Sequence, residues 1–322
     1  MKYKSIGVVV IGRNEGARLK KCLRSVVEVV SHIVYVDSGS SDDSVSFASG
    51  LGVHIVDLDM SQPFTAARAR NKGFNKILAE SPDIEYVQFV DGDCEFVDGW
   101  FENALSAFML DKENGSLAVV FGLCKERFPE ASIYNYEADR GWKISAGYTE
   151  TCGGNTFVSV KAFNAVGGFN QALIAGEEPE LCLRLRRAGW KILSIPYDMV
   201  WHDVNILKFS QWAKRAVRTG HAFAEVAWLH RKFPENYWFK NNVRVFGWGL
   251  LLPVVFGLLS LYDMRLLGLF FIYPIQVGRI ALKEGWLYAY FCVLVKFPQA
   301  VGQAKFFFNQ LLGKKSALIE YK

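Results

Sequence analysis

The sequence predicts an α/β fold built on a mostly parallel sheet. Two observations carry this: short apolar runs alternate with amphipathic stretches through the first two thirds, and small polar or acidic residues gather where the apolar runs end. A third observation sets the plan of the chain. Between Phe233 and Arg244 the composition shifts to aromatic and nearly uncharged sequence, so residues 1–235 are expected to form the α/β domain and residues 236–322 an apolar helical region. With 322 residues, 51% apolar and 21% charged, the chain can bury one sizeable core and still have apolar sequence left over.

Ile6 to Ile11 is an unbroken apolar run and reads as the first strand. Ala17 to Val30 follows as a helix, with Leu19, Leu23, Val26, Val27 and Val30 apolar. His32 to Val36 is the second strand, and Asp42 to Ser49 a helix whose first turn is acidic, as the helix dipole favours. Val53 to Val56, Thr65 to Leu78 and Glu85 to Val90 complete the rhythm as strand, helix and strand. In such sheets ligands bind beyond the carboxyl ends of the strands.

The residues at those ends are the informative ones. After the first strand, Gly12, Arg13, Asn14 and Glu15 can reach a base or ribose, or simply form a loop and helix cap. After the second, Asp37 precedes the turn Ser38-Gly39-Ser40 and can accept hydrogen bonds from a nucleobase or ribose. The fourth strand ends in Asp91-Gly92-Asp93, two carboxylates one residue apart that can hold a divalent cation over an open cleft and present it to a diphosphate. Asp57-Leu58-Asp59 is a second pair, discounted because Leu separates its acids and it lies just beyond the third strand. No GxGxxG follows a strand, which removes the main support for a dinucleotide-binding fold.

Further along, Gly153-Gly154-Asn155 precedes the apolar strand Thr156 to Val160, and its glycines let backbone approach a sugar or phosphate, or make a plain turn. Glu177-Glu178 opens the helix Pro179 to Ala188, where Leu181, Leu185 and Ala188 face a core and Arg184, Arg186 and Arg187 point outward. The two acids favour a helix start in any case, yet one carboxylate there can also serve as a general base. In Trp201-His202-Asp203, a neutral imidazole can complete a metal shell begun by Asp93 or be a structural residue.

Taken in order, the strings VVVIGRNEGARL, VDSGSSDDS, ARARNKGF, FVDGDCEF and GGNTFVSVKAFNAVGGFNQALIAGEEPELCLRLRRAGWKI resemble the signatures of the inverting family 2 glycosyltransferases of GT-A fold, over roughly residues 5 to 203. The resemblance implies transfer of a sugar from a nucleotide-diphosphate sugar. It places Asp37 on the nucleobase, Arg70 on the donor phosphates with Arg68 as substitute, Asp91 on ribose or metal, and Asp93 on the metal. The expected donor side is therefore Arg13, Glu15, Asp37, Arg70, Asp91 and Gly92, and the acceptor side Gly154 and Asn155. In the family the acidic pair is commonly Glu-Asp with the second acid as base, which selects Glu178, with Glu177 as the alternative. A mixed carboxylate and imidazole shell of Asp93, Asp91 and His202 suits Mn²⁺ and tolerates Mg²⁺. A nucleotidyltransferase shares the sheet and metal acids but normally has a longer basic glycine-rich loop than Gly12 to Gly16; a non-catalytic scaffold would not need Glu178.

The net charge of +5 is modest, and no Lys/Arg stripe is interleaved with aromatics, so nucleic acid is not an expected partner. The six cysteines form no CxxC pair and read as reduced thiols. Ile6 to Ile11 is too short for a signal peptide, and no export signal is expected.

Val245 to Tyr262 carries no charge over 18 residues, about 27 Å as a helix against a hydrocarbon core of about 30 Å. Leu266 to Val277 and Trp286 to Val295 are shorter apolar runs. Trp248, Tyr262, Tyr273, Trp286, Tyr288 and Tyr290 near segment ends suit an interfacial belt, and Arg231, Lys232, Lys240, Arg244, Arg279 and Lys283 put both flanks of a hairpin on the cytoplasmic side. A buried helical subdomain or an oligomer interface is the competing expectation, since the runs contain Pro253 and Pro274. The expected arrangement is a hairpin followed by an amphipathic interfacial segment from Lys296 to Leu312. It would hold the enzyme on the cytoplasmic face of the inner membrane, acting on a polyprenyl-linked saccharide or glycolipid in surface polysaccharide synthesis, this pathway following from resemblance alone.

Overall fold

The computed structural model describes residues 2–111 and 113–314. By packing, the chain divides into two compact units. One runs to Ala172 and resumes over Glu177–Leu207; the other comprises Leu173–Gly176 and the residues from Lys208 onward.

The first unit runs β1 (Tyr3–Gly12), α1 (Ala17–Arg24), β2 (Val30–Asp37), α2 (Ser44–Gly50), β3 (His54–Asp57), α3 (Ala66–Glu80), β4 (Tyr86–Asp91), β5 (Cys94–Phe96) and α4 (Trp100–Leu110). It continues with β6 (Leu117–Glu126), α5 (Ile133–Gly141), β7 (Gly147–Tyr148), β8 (Thr156–Ser159), α6 (Val160–Ala165), α7 (Glu177–Arg187) and β9 (Lys191–His202). The strands described form one sheet in the order β3-β2-β1-β4-β8-β6-β9-β5, with β7 on β9. The β3-β2-β1-β4 half is parallel, whereas β8 runs antiparallel to both β4 and β6.

Register explains why the site residues meet. Gly12 pairs with Asp37 and Ile11 with Asp91, so the carboxyl ends of β1, β2 and β4 lie level. Because β8 is antiparallel to β4, with Phe89 opposite Thr156, the residues just before β8 turn back alongside Asp91. Cys94 pairs with His202, which carries the end of β9 to Asp93.

Two local expectations are corrected. The first helix stops at Arg24, not Val30: Val26, Val27 and Val29 close turns onto Leu23 and Val26, and the β-branched Val30 already belongs to β2. In α7, Ala188 is exposed beyond the helix end rather than facing a core. Arg184 does not point freely outward either, because it is held by Glu180 and donates to the carbonyls of Val166 and Gly168.

Helix α3 lies unusually close to the sheet. A Cβ on Gly73 would sit 2.4 Å from Val9 Cγ1 and 2.9 Å from Val36 Cγ2, so only glycine permits this approach. Thr65 caps the helix by accepting from the Arg68 amide.

The second unit is helical: α8 (Phe209–Leu229), α9 (Phe239–Phe246), α10 (Leu252–Tyr262), α11 (Ile272–Glu284), α12 (Trp286–Leu294) and α13 (Lys296–Leu311). Helices α8 and α13 cross through glycines, since a Cβ on Gly220 would meet the Gln299 carbonyl and one on Gly302 the Val217 carbonyl. Segments Phe239–Tyr262 and Met264–Glu284 are each long and apolar enough to cross a membrane. Only 11% of the apolar window of the first and 0% of the second is buried, so neither is the core helix of a buried subdomain. The segment expected to be interfacial has two faces: Gln299, Ala300, Gly302, Gln303 and Phe306 are buried, whereas Val301, Phe308 and Leu311 are exposed.

Candidate active site

The motif ARARNKGF on α3 organises the site, each residue by a different contact. Arg68 donates to the carbonyls of Asp59, Gln62 and Pro63 and so shapes the loop before the helix. The Asn71 side-chain amide clamps the Phe169 backbone, donating to its carbonyl at 2.8 Å and accepting from its N–H at 3.0 Å. Between them Arg70, 2% exposed, reaches three carboxylates. Its Nη1 donates to Glu177 and to Glu178, and its Nη2 to Asp91, each at 2.9 Å. Burial opposes the guanidinium charge, but Asp91, Glu178 and Glu177 outweigh it and push its pKa up. Arg70, expected on the donor phosphates, thus has both terminal nitrogens on acids; Arg68 is committed to the loop and takes no share in the cluster.

Burial also raises the Glu178 carboxyl, with the Glu177 charge adding to it and Arg70 opposing, to about 7. Its side chain is nonetheless 16% exposed and so open to a proton acceptor's task, whereas Glu177 is 4% exposed. Gly154 backs the cluster: a Cβ there would lie 2.5 Å from Arg70 Nη2, 3.0 Å from Glu178 Oε1 and 3.3 Å from Asp91 Oδ2. Its neighbour Asn155 accepts from the Asp91 amide and donates to Cys94 Sγ, which ties the loop before β8 to the Asp91-Gly92-Asp93 turn.

Asp93 is 4% exposed, and its Oδ2 lies 3.2 Å from His202 Nε2. Trp142 stacks on the His202 ring, centroids 4.6 Å apart at 14°. Asp93, Cys94 and His202 bring one potential ligand atom each within 4.8 Å of one another. Burial and Asp93 raise the Cys94 thiol well above its ordinary value, so it stays protonated and donates to Asp93. The donors that remain are an oxygen and a neutral-capable imidazole, and their 3.2 Å separation is near the roughly 3 Å edge of an octahedron with bonds of about 2.1 Å. The pair fits a hard divalent cation of the Mn²⁺ or Mg²⁺ kind.

The remaining predicted residues line the ends of β1 and β2. Asp37, 4% exposed, accepts from Tyr35 Oη, the Gly39 and Ser40 amides and Ser40 Oγ. Its carboxylate therefore sets the shape of its own loop. Glu15 pairs with Arg18 at 2.7 Å and packs on Gly12 and Gly92, where a Cβ would come within 3.1 and 3.3 Å of Glu15 Cγ. Arg13 is exposed, its guanidinium 5.0 Å from the Phe64 ring centre. The discounted Asp59 caps the Ser61 amide in an exposed loop. Trp142 and Tyr35 were not singled out in the sequence; Trp142 lies in no motif, whereas Tyr35 could have been flagged by its place two residues before Asp37 in a strand, on the same face.

Residues 7–166 match the model of glycosyl transferase family 2, and residues 136–205 that of the N-terminal domain of galactosyltransferase. The chain carries a family 2 glycosyltransferase domain. An O-antigen chain rhamnosyltransferase from Salmonella anatum is 26% identical over 219 residues, 63% of this chain and 66% of the relative. A pre-mycofactocin glycosyltransferase from Mycobacterium tuberculosis is 26% identical over 247 residues, 71% of this chain and 48% of its own. The matches thus span just under two thirds and about half of these relatives' lengths. The chain also shares its fold with a mannosyltransferase from Pyrobaculum calidifontis solved with GDP-Man and Mn²⁺, TM-score 0.65 at 13% identity, covering 94% of this chain and 88% of that one. The fold is GT-A.

Proposed function

We propose that the enzyme moves a sugar from a nucleotide-diphosphate sugar to a hydroxyl of a membrane-bound acceptor, with inversion at the anomeric carbon. The observation that carries this reading is the meeting of Glu177, Glu178 and Asp91 on Arg70, beside the backbone of Gly154. Glu178 takes the proton of the acceptor hydroxyl as its oxygen bonds to the anomeric carbon, and the bond to the nucleoside diphosphate breaks on the opposite face. A carboxylate raised to about 7 is well matched to that task near neutrality. Arg70 holds Glu178 and Asp91 in register. Asp93 and His202 would hold a Mn²⁺ or Mg²⁺ ion, and Asp91, paired to Arg70 as it stands and outside that close group, would join them on turning toward it; the ion would supply positive charge to offset that building on the departing diphosphate. Arg13, Glu15, Asp37 and Gly92 bound the nucleotide side, and Gly154 with Asn155 the acceptor side.

Residues 1–235 carry the chemistry in this proposal and residues 236–322 the membrane attachment, on the cytoplasmic face of the inner membrane. The exposed apolar segments Phe239–Tyr262 and Met264–Glu284 support attachment, the Salmonella relative named for the O-antigen chain supports a surface polysaccharide as product, and the two together make a lipid-linked saccharide the acceptor class of this proposal. Measuring nucleotide release by the purified full chain, with and without membranes of the source cell as acceptor, tests the reading. Glu178→Gln is expected to lose transfer by about 10²- to 10⁴-fold yet still bind donor. Full activity in that variant removes Glu178 from the mechanism.

A further inference from the structure

The second unit contains a cleft of about 490 Å³ to which no role has yet been given. Four cations line it, Arg244 of α9, Arg279 and Lys283 of α11 and Lys296 at the start of α13, against one carboxylate, Glu284. Trp248 and Ile280 add apolar surface to the same wall. Four cations facing one carboxylate leave the cleft with an excess of positive charge, which an anion would offset.

The position of the cleft says which kind of anion. Arg244 lies near the start of the apolar segment Phe239–Tyr262, and Arg279 and Lys283 near the end of Met264–Glu284, so the cations stand at the open end of the helical pair, away from its turn at Asp263. Long cationic side chains at the ends of membrane helices extend to the headgroup layer. We propose that this cleft binds the phosphate or diphosphate headgroup of a membrane lipid, with Trp248 and Ile280 against the start of its hydrocarbon chain. The proposal rests on the membrane attachment described above and deepens it, because a polyprenyl-diphosphate-linked acceptor presents such a group.

The test is flotation of the purified full chain with vesicles of phosphatidylcholine alone, of phosphatidylcholine with phosphatidylglycerol, and of phosphatidylcholine with polyprenyl diphosphate. Replacing Arg279 and Lys283 together by Gln is expected to weaken binding to the two vesicles of net negative charge by about fivefold per cation removed and to leave binding to zwitterionic phosphatidylcholine alone unchanged, while Arg279→Lys retains binding. Equal loss on phosphatidylcholine alone, or no loss on either anionic vesicle, overturns the proposal. Inorganic diphosphate binding the detergent-solubilised chain as tightly as polyprenyl diphosphate overturns the lipid assignment in favour of a soluble anion. Stronger binding to polyprenyl diphosphate than to phosphatidylglycerol identifies the acceptor as the occupant, and equal binding identifies bulk anionic lipid. Nucleotide release from donor in the presence of acceptor membranes is read in parallel: its absence with flotation intact counts against the transferase reading and leaves the cleft standing.

Discussion

Glu178 shows how a single side chain acquires a function from its surroundings. Burial, then the Glu177 charge, raises its proton affinity to about 7, so transfer should rise with pH through that value as the basic form appears. Glu177→Gln removes the larger of the two charges that raise it, Glu177 and Asp91, and is expected to move the acid limb of the pH–rate profile downward, which a kcat/KM profile of the two enzymes would show. The same shift has a cost in stability with a definite sign. The folded group binds its proton more tightly than an unfolded glutamate with its ordinary value of 4.5, so stability falls as pH rises from there through about 7. Gly154 is the second residue-scale case. Gly154→Ala sets a methyl against Arg70 Nη2 and Glu178 Oε1; activity is expected to drop by at least about tenfold with little change in melting temperature, since what moves is the carboxylate cluster and not the core. The acids of this cluster were legible in the sequence because they stand at strand and helix ends. The commitment of Arg70 to them was not, since it spans residues 70, 91, 177 and 178, which only the tertiary fold brings together.

At the level of elements, α3 is the part on which most of the site depends, and Gly73 fixes its height over the sheet. Gly73→Ala pushes a methyl into Val9 and Val36; it is expected to cost about 1–3 kcal/mol of stability, read as a lower thermal midpoint of the full chain in detergent, and to reduce transfer because Arg70 shifts with the helix. The parallel strands were readable from their apolar runs. The end of the first helix was not, because the valines from Val26 to Val30 satisfy both a helical face and the start of a strand, and propensity alone cannot divide them. Strands β5 and β7, three and two residues long, are too short to leave a periodic signal. Yet β5 supplies the pairing of Cys94 with His202 that makes the acid and imidazole neighbours.

For the whole molecule, the contrast lies between a unit whose apolar side chains close into one core and a unit that leaves Leu258, Leu261, Tyr262, Ile275 and Leu282 largely exposed. Surface of this kind marks a membrane or protein interface, and in the proposed function lipid covers it. The full chain should therefore pellet with membranes, resist extraction by salt and be released by detergent; recovery in the soluble fraction without detergent would remove the membrane assignment. Composition set the expected boundary at residue 235 and so counted α8 with the residues before it. The close crossing of α8 on α13 through Gly220 and Gly302 places it by packing with the second unit, and glycines spaced 82 residues apart, 302 minus 220, carry no local signature of such a contact.

The parallel stack of Trp142 on His202 gives the enzyme an optical reporter of its own. A paramagnetic ion seated at that imidazole quenches an indole held in contact with the ring, whereas diamagnetic Mg²⁺ does not. Titration with Mn²⁺ should dim the intrinsic emission of the native protein, and the dimming should shrink in Trp142→Phe, so that cation affinity becomes readable without any sugar donor present.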